Sequence, residues 1–557
     1  MPPEQNELAE TQQKRYHDYD ALRACAMLLG IVLHGVMSFI ELPPGMWPAQ
    51  DVQQNTSVYG FVLHALHGFR LPLFFMMSGF FTTMLWRKRG LRKLIAHRAK
   101  RILLPLVVCW FAVWPALIVV GIVGANGQAN IWDAAANGKA DEVERYLASG
   151  GDSEARFDLP GIPGSGATPL HLAVAGGHEE VTKLLLEHGA NVNSIAKDRD
   201  RGTPLHWAVR AQRLESVEIL VEAGADIHAE DGNGHTPHDL ATGVKPVEEM
   251  SATIAAYLHS KGATERDIEV ERSSVVSAQM LGLLLLLFCF APFFAHLWFL
   301  WYLCWLVVGF LIVVWLAQRL HWKRLPSRAI SSPYCWFWLL PLTLLAQLCM
   351  VQTFGPDTGA GLIPWPPVLA YYAIFFGFGA VLYGDPRAEQ SLGQHWKICL
   401  LLGLATLPVG IWLFETRPGG NMITLFDFES PTVEFPRRDL DLGTHFLTSL
   451  CAVVYCWSMI LALMGLFRRY FCSDNARIRY ISDSAYWLYV AHLPLIQFMQ
   501  VLVRDWSCPS IVKIIIICVA TVSVLLVIYE YGVRYTFVGT MLNGKKYRGN
   551  PPKKTGN

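Results

Sequence analysis

The sequence contains no two cysteines separated by two residues, and its 12 cysteines are scattered along the chain. Zinc ribbons need closely spaced cysteine pairs and small disulfide-stapled domains need a dense cysteine framework, so both classes are excluded. Several cysteines, among them Cys25, Cys109, Cys304 and Cys451, lie inside apolar stretches. There a thiol acts as a small packing residue.

Charged residues are scarce as well, at 16% of the chain against 53% hydrophobic residues. Apolar stretches of about 20 residues recur, and this length crosses the hydrocarbon core of a bilayer. We therefore predict an all-α, polytopic transmembrane helical bundle with about ten spans. The predicted spans are residues 20–41, 61–86, 102–124, 297–317, 334–353, 366–384, 397–415, 443–467, 484–504 and 511–533. Residues 1–19 lack a cleavable signal pattern, so we expect the first span to remain as an anchor.

The basic residues predict the topology. Lys and Arg are missing from Ala24 to Phe69, whereas residues 87–101 carry eight of them. By the positive-inside rule that basic loop and both termini are cytoplasmic. Residues 275–295 are ambiguous: if they form a re-entrant helix, the segment after the third span is extracytoplasmic. If they cross the bilayer instead, and Pro115 interrupts the third span, that segment is cytoplasmic. We favour the re-entrant helix and hence an extracytoplasmic insert.

A soluble module interrupts the membrane sequence. Residues 131–270 hold 24 acidic and 12 basic residues, a net charge of −12, while the rest of the chain carries +13. Thr-Pro pairs begin at Thr168, Thr203 and Thr236, spaced 35 and 33 residues apart, and two are followed by Leu-His. This pattern resembles the ankyrin repeat and predicts an inserted α-solenoid of three to four repeats. We expect His171 and His206 to bond backbone groups between turns.

These patterns divide the chain into four regions. Residues 1–124 and 275–545 form the two parts of the membrane domain, residues 127–268 the repeat module, and residues 546–557 a basic tail.

Ionisable side chains inside membrane spans are costly and are therefore functional candidates. Arg23 and His34 in the first span are 11 residues apart, about three helical turns, so they share one face. Asp20, three residues before Arg23, can hold its guanidinium. Arg23 could instead snorkel to lipid phosphates while His34 caps a neighbouring helix, and composition does not separate these readings.

A second group of candidates lies near other spans. Arg98 and Arg101 form an R-x-x-R pair on one helix face, suited to the phosphates of a donor such as acyl-coenzyme A, although charge alone favours plain positive-inside anchoring. The remaining candidates are single ionisable residues in apolar surroundings: Arg70, His296, His492 and Glu530. For His492, beside Pro494, a structural role is as plausible as a functional one.

The motifs together resemble a known family. Arg23 and His34 are arranged as R-x10-H, and Arg98 and Arg101 follow the segment FRLPLFFMMSGFF. The segments HLWFLWYL, YYAIFFGFGAVLY, SDSAYWLYVAHLPLI and YGVRYTFVGTMLNGKK come later in the chain. In this order residues 16–124 and 275–545 resemble the acyltransferase-3 membrane family, with closest similarity to members that succinylate glucans. The repeat insert departs from the pattern expected of that family.

The resemblance implies an integral membrane O-acyltransferase with His34 as catalytic base and Arg23, Arg98 and Arg101 assisting the donor. It implies transfer of an acetyl or succinyl group from cytoplasmic acyl-coenzyme A, as co-substrate and not bound cofactor, to an extracytoplasmic glycan hydroxyl. The expected partners are membrane lipid and a protein at the repeats, without nucleic acid or metal, in a cell membrane, bacterial inner membrane favoured. A non-enzymatic translocator or receptor, or a membrane-anchored ankyrin scaffold, remains the alternative.

Overall fold

The computed structural model of the protein describes residues 16–40, 47–51, 57–125, 131–148, 150–156, 166–197, 201–243, 249–264, 293–322, 326–350, 352–415 and 442–543. All regular elements in these ranges are helical, and no β-strand occurs among them. The predicted all-α class is thereby confirmed. Most of the ambiguous segment 275–295 and the basic tail 546–557 lie outside the described residues.

Three helices precede the repeat module: α1 (His17–Val36), α2 (Ser57–Arg98) and α3 (Leu104–Ala125). Gly90 breaks the helical path of α2 with a φ of 77°, which a glycine adopts without steric cost. A π-helical turn, Ala99–Leu103, then joins α2 to α3. Helix α3 continues through Pro115, so this proline does not interrupt the third span. The side of the membrane that holds the insert stays a prediction.

The repeat module is a stack of short helices with its own apolar core, centred on residues such as Leu170, Leu205 and Ile254. Its helices are α4 (Ile131–Ala136), α5 (Ala140–Ala148), α6 (Pro169–Gly176), α7 (Glu179–Glu187), α8 (Pro204–Arg210), α9 (Leu214–Glu222), α10 (Pro237–Thr242) and α11 (Glu249–Ser260).

The Thr-Pro pairs start the first helix of each repeat. Thr168 and Thr203 are N-caps followed by proline. Proline suits this first position because the N–H that it lacks would have no intrahelical acceptor there. The Nε2 atom of His171 lies 3.2 Å from the Gly202 carbonyl oxygen of the next repeat. His206 lies 3.0 Å from the His235 carbonyl in the same way. Both histidines bond backbone between turns, as predicted.

The second part of the membrane domain continues the helical bundle. Its helices are α12 (Trp298–Arg319), α13 (Ser327–Ile330), α14 (Trp336–Leu348), α15 (Pro366–Leu382), α16 (Pro386–Ser391), α17 (Trp396–Glu415), α18 (Leu442–Tyr470), α19 (Ala476–Val503), α20 (Ser510–Ile528) and α21 (Phe537–Asn543). Short turns, Ala295–Leu297 and Tyr529–Val533, precede α12 and follow α20.

Seven helical stretches among the described residues are long and apolar enough to cross a membrane. One of them, Ser57–Gly124, contains both the second and the third predicted span. Two further predicted spans coincide with the shorter apolar helices α14 and α15. Large apolar side chains such as Phe111 and Phe337 are 67% and 79% exposed, as expected of a surface that faces lipid. The count of about ten spans stays a prediction.

Helices α2 and α15 cross at very close range. A side chain at Gly79 would collide with the carbonyl of Phe376, and one at Gly379 with the carbonyl of Met76. Two facing glycines let the backbones touch, a packing mode common between membrane helices. This contact holds the FRLPLFFMMSGFF segment of α2 in the centre of the bundle.

Candidate active site

Helices α1 and α19 lie side by side and run in the same direction. Near the start of both helices Arg23 contacts Ser482, and further along His34 contacts His492. Eleven residues on α1 therefore match ten on α19. Since both helices rise about 1.5 Å per residue, the two contacts are about 16 Å apart along the pair. The predicted Arg23–His34 stripe thus faces α19.

The Arg23 end is a hydrogen-bonded chain of three side chains. Arg23 Nη2 donates to the carbonyl oxygen of Ser482 at 2.9 Å and to its Oγ at 2.7 Å. Ser482 Oγ in turn donates to Asp20 Oδ1 at 3.2 Å, and Asp20 lies 3.6 Å from Arg23. The Arg23 side chain is still 42% exposed, so it has room for another anionic partner. Asp20 orients this guanidinium, as the sequence indicated.

The His34 end is a pair of imidazoles. His34 Nδ1 lies 3.0 Å from His492 Nε2 and 3.0 Å from the carbonyl oxygen of Gly30. His492 Nδ1 lies 2.8 Å from the carbonyl of Tyr489 and 3.1 Å from that of Leu488.

These contacts decide where the protons sit. Carbonyl oxygens only accept, so His492 Nδ1 carries its proton and His492 Nε2 offers a lone pair. His34 Nδ1 must then be the donor, to both His492 and Gly30. His34 Nε2 is left with its lone pair and has no hydrogen-bond partner within the described ranges. Because His34 is only partly buried, this nitrogen is available to a substrate.

Neutral polar residues complete the surroundings of His34. The Trp47 ring is stacked on the imidazole with ring centroids 6.2 Å apart. Trp47 Nε1 donates to Gln500 Oε1 at 2.9 Å, and Gln500 Nε2 donates to the carbonyl oxygen of His34 at 2.8 Å. Trp47 and Gln500 were not among the predicted residues, because neither side chain is ionisable. A glutamine inside an apolar span was the available signal.

His296 supports the pair from the other side. Its ring lies 5.2 Å from that of His492, and its Nε2 donates to the Val490 carbonyl at 3.0 Å. Pro494 has no N–H, so the carbonyl four residues earlier, that of Val490, loses its helical partner. His296 replaces that partner. The hydrogen bond of His296 is therefore structural: it stabilises α19 at the proline. The sequence analysis considered His492 for this structural role, but His492 contacts His34 instead.

The predicted Arg98 and Arg101 pair lies at the junction of α2 and α3. Arg98 Nη2 donates to Thr82 Oγ1 at 2.7 Å, and Arg101 Nη1 lies 3.4 Å from the Met541 carbonyl. The sequence predicted one continuous α-helical face. Instead, a π-helical turn begins directly after Arg98, so the two guanidinium groups have different neighbours.

Helix α19 connects this arginine pair to Arg23. Tyr486, one turn after Ser482, donates its hydroxyl to the Arg101 carbonyl at 2.8 Å. The same helix therefore contacts α1 through Ser482 and the α2–α3 junction through Tyr486. The α2–α3 junction that carries Arg98 and Arg101 therefore meets α19 one turn after the contact with Arg23. Neither Ser482 nor Tyr486 was predicted, although both lie in the quoted SDSAYWLYVAHLPLI segment.

Of the two remaining candidates, Arg70 lies beside the helix that carries His34, and Glu530 has no described contact with the histidines. Arg70 is buried beside α1, and a side chain at Gly30 would collide with its Nη1. Glu530 forms an ion pair with Arg534 one turn later, at 2.7 Å, with both side chains about a third exposed. Its described contacts do not join it to the histidines. In the described part of the chain, no cluster of three or more His, Cys, Asp or Glu side chains could hold a metal ion.

Comparison with known proteins identifies the family of the chain. A family model described as an acyltransferase domain matches residues 16–170 and 269–530. The chain belongs to the acyltransferase-3 family. The match includes both helices that carry the imidazole pair.

The repeat module matches separately. A model of ankyrin repeats, with three copies, covers residues 131–231. Ankyrin repeat-containing protein P1E11.10 of Schizosaccharomyces pombe is 39% identical over 71 residues, which are 13% of this chain and 30% of that protein. The chain therefore spans less than a third of that relative, and the similarity concerns the repeats alone.

Proposed function

We propose that this acyltransferase-3 member moves an acetyl or succinyl group from cytoplasmic acyl-coenzyme A to a hydroxyl of an extracytoplasmic glycan or a similar acceptor. The observation that carries the proposal is the free lone pair of His34 Nε2. A general base needs an imidazole nitrogen that is unprotonated and reachable by substrate. The bonds from His34 Nδ1 to Gly30 and His492 hold the imidazole in that form.

The reaction then follows from this nitrogen. His34 Nε2 takes the proton of the acceptor hydroxyl while the hydroxyl oxygen attacks the thioester carbonyl. The new C–O bond forms and the carbonyl electron pair moves to oxygen. When the intermediate collapses, the C–S bond breaks and the proton on His34 passes to the departing thiolate. His492 does not touch the reacting atoms and acts as a positioning residue, in the way that a third group orients the base of a catalytic triad.

The arginines suit the donor. Acyl-coenzyme A carries several phosphate groups, and guanidinium groups bind phosphate oxygens in pairs. Arg23 contacts α19 at Ser482, about 16 Å from the imidazole pair by helical rise, and the junction that carries Arg98 and Arg101 contacts the same helix one turn later, at Tyr486. A long pantetheine arm can cover such a distance. We therefore assign the phosphates to the arginine end and the thioester to His34.

The acceptor would approach from the opposite end of α1. A shallow surface depression lies there, next to Gln500. Its lining is partly polar and comprises Ser38, Phe39, Ala49, Asp51, Gln500, Val503, Arg504 and Ile517. The Asp51 carboxylate pairs with Lys513 and the Gln500 amide bonds Trp47 and His34, whereas the Ser38 hydroxyl has no partner among the described residues and can bond an acceptor hydroxyl. We propose that this depression is extracytoplasmic, in keeping with the basic loop at residues 87–101.

The order of the motifs favours one acceptor class. This order resembles that of glucan biosynthesis protein C, a proposed succinyl transferase of periplasmic glucans. We therefore propose a glucan as acceptor and the bacterial inner membrane as location. The ankyrin module would bind a partner protein or orient the acceptor, since stacked repeats present an extended recognition surface.

The test is acyl transfer by the purified full chain in lipid nanodiscs. Radiolabelled acetyl- and succinyl-coenzyme A would be the donors and soluble glucan oligosaccharides the acceptor. We expect transfer by the wild type and its loss, by about 100-fold or more, in His34→Ala. His395→Ala, an exposed histidine far along the chain, is the control and should keep activity. Wild-type activity in His34→Ala would remove the catalytic assignment.

A further inference from the structure

Arg70 is a buried cation that has no counterion among the residues the structure describes. Its side chain lies in α2 and the residue is only 7% exposed. No hydrogen bond or ion pair of its guanidinium group occurs within the described ranges, and its Nε is buried without any partner. An ionised group removed from water is strongly disfavoured unless something compensates the charge. A partner that arrives with the substrate would supply this compensation.

The position of Arg70 points to the reacting centre. Gly30 has no side chain, which leaves the space that Arg70 Nη1 occupies against α1. The carbonyl of the same Gly30 accepts the hydrogen bond from His34 Nδ1. The guanidinium and the imidazole therefore flank one peptide unit of α1.

A second unpartnered group lies in the same region. Tyr372 on α15 is 0% exposed, and its buried hydroxyl has no hydrogen-bond partner among the described residues. The Tyr372 ring packs on that of Phe75, which follows Arg70 on α2 by little more than one turn, with ring centroids 4.4 Å apart. A buried donor without a partner is costly, so an unpartnered cation and an unpartnered hydroxyl in one region can both be satisfied by an acceptor that arrives with the substrate. A cationic donor and a neutral donor together select an anionic oxygen.

We propose that Arg70 and Tyr372 form an anion site beside His34 that binds a negatively charged oxygen of the acyl group. This inference rests on the proposed acyl transfer. Two sources can supply the oxygen. In the tetrahedral intermediate the carbonyl electron pair has moved to oxygen, and a fixed cation stabilises that oxyanion. In a dicarboxylic acyl group such as succinyl, the free carboxylate carries the charge in the ground state.

The two sources predict different kinetics. Arg70→Gln and Tyr372→Phe would be assayed in nanodiscs with acetyl- and succinyl-coenzyme A. If the oxyanion is the ligand, Arg70→Gln lowers kcat about 100-fold or more for both donors, the usual effect of losing one oxyanion donor. If the carboxylate is the ligand, transfer from succinyl-coenzyme A is lost and transfer from acetyl-coenzyme A is kept. Tyr372→Phe should follow the same pattern with a smaller loss.

Further measurements separate this role from a structural one. Arg70→Ala should regain activity with millimolar guanidinium ion, which a misfolded variant would not do. Arg319→Gln, an arginine whose contact is the Trp315 ring, is the control and should match the wild type. The thermal midpoint of the wild type should rise with sodium succinate, and that of Arg70→Gln should not.

The outcomes separate the two proposals. Unchanged kcat and KM of Arg70→Gln with both donors would overturn the anion site while leaving the His34 assignment intact. A wild type that transfers nothing would overturn the proposed function. In that case the succinate shift alone decides the anion site, because no shift in the wild type would overturn it too.

Discussion

Replacing His492 by phenylalanine removes one of the two acceptors of the His34 Nδ1 proton. The change keeps a ring of similar size in the helix, so the packing of α19 should be little disturbed. The carbonyl oxygen of Gly30 remains 3.0 Å from His34 Nδ1. His34 therefore keeps the tautomer with a free Nε2 but loses part of the restraint on its orientation.

The size of the effect follows from this arithmetic. One neutral hydrogen bond contributes about 1 kcal/mol net, and about 1.4 kcal/mol corresponds to a factor of ten in rate. We expect kcat of His492→Phe to fall about 5- to 10-fold with KM for acyl-coenzyme A unchanged. Loss of a general base costs about 10²- to 10⁴-fold, so His34→Ala should be far less active.

The assay is steady-state transfer with both variants in the same nanodisc preparation, with thermal midpoints measured in parallel. His445→Phe is a suitable control, because its ring lies near the Leu348 carbonyl, at 3.4 Å, and not in the imidazole pair. Two results would refute the reasoning. Activity of His492→Phe equal to the wild type would mean that the contact does not orient His34, and activity as low as His34→Ala would mean that His492 takes part in the chemistry.

Three further predictions concern stability. Lys513→Met should lower the thermal midpoint sharply, because it breaks a buried ion pair of 2.6 Å and leaves the Asp51 carboxylate without its counterion. The expected loss of stability is about 3–5 kcal/mol. The double variant Lys513→Met/Asp51→Leu should recover most of this loss. Gly79→Ala should destabilise the membrane domain through collision with the backbone of α15, whereas Gly60→Ala, with open space around it, should not; equal thermal midpoints would contradict the close crossing. Burial lowers the pKa of His171 to about 4. The unfolded chain, with a pKa near 6.5, takes up the proton first as pH falls, so the repeats should lose about 3 kcal/mol between pH 6.5 and 4. Amide hydrogen exchange of residues 169–176 in the full chain, corrected for its intrinsic pH dependence, would measure this loss of stability. Protection factors that stay the same from pH 6.5 to 4 would contradict it.

Local features were predictable from the sequence. The Thr-Pro spacing predicted where α6, α8 and α10 begin, because proline and an N-capping threonine act within one turn. The 11-residue separation of Arg23 and His34 predicted a shared face, since helical periodicity depends only on the chain itself. Asp20 was placed beside Arg23 by the same rule.

The partners of those residues were not predictable. His34 and His492 are 458 residues apart, and periodicity identifies a face without identifying what packs on it. The role of Pro494 also depended on tertiary structure. A proline leaves one carbonyl oxygen without its helical partner in any helix. Only the packing around α19 decides that His296 donates to this carbonyl, while His492 contacts His34. The π-turn after Arg98 had no recognisable sequence signal, so the R-x-x-R spacing was interpreted as an ordinary helical face.

The parallel pairing of α1 with α19 has a consequence for how the protein can be divided. One imidazole is synthesised before the ankyrin module and the other long after it, so a polypeptide that stops within the module carries only half of the pair. If the chain were expressed as two fragments divided between repeats, the first fragment would carry His34 and the second His492. Their reassembly in a membrane would rejoin His34 and His492 without a covalent link, and the module could be exchanged for another without altering a single contact between them.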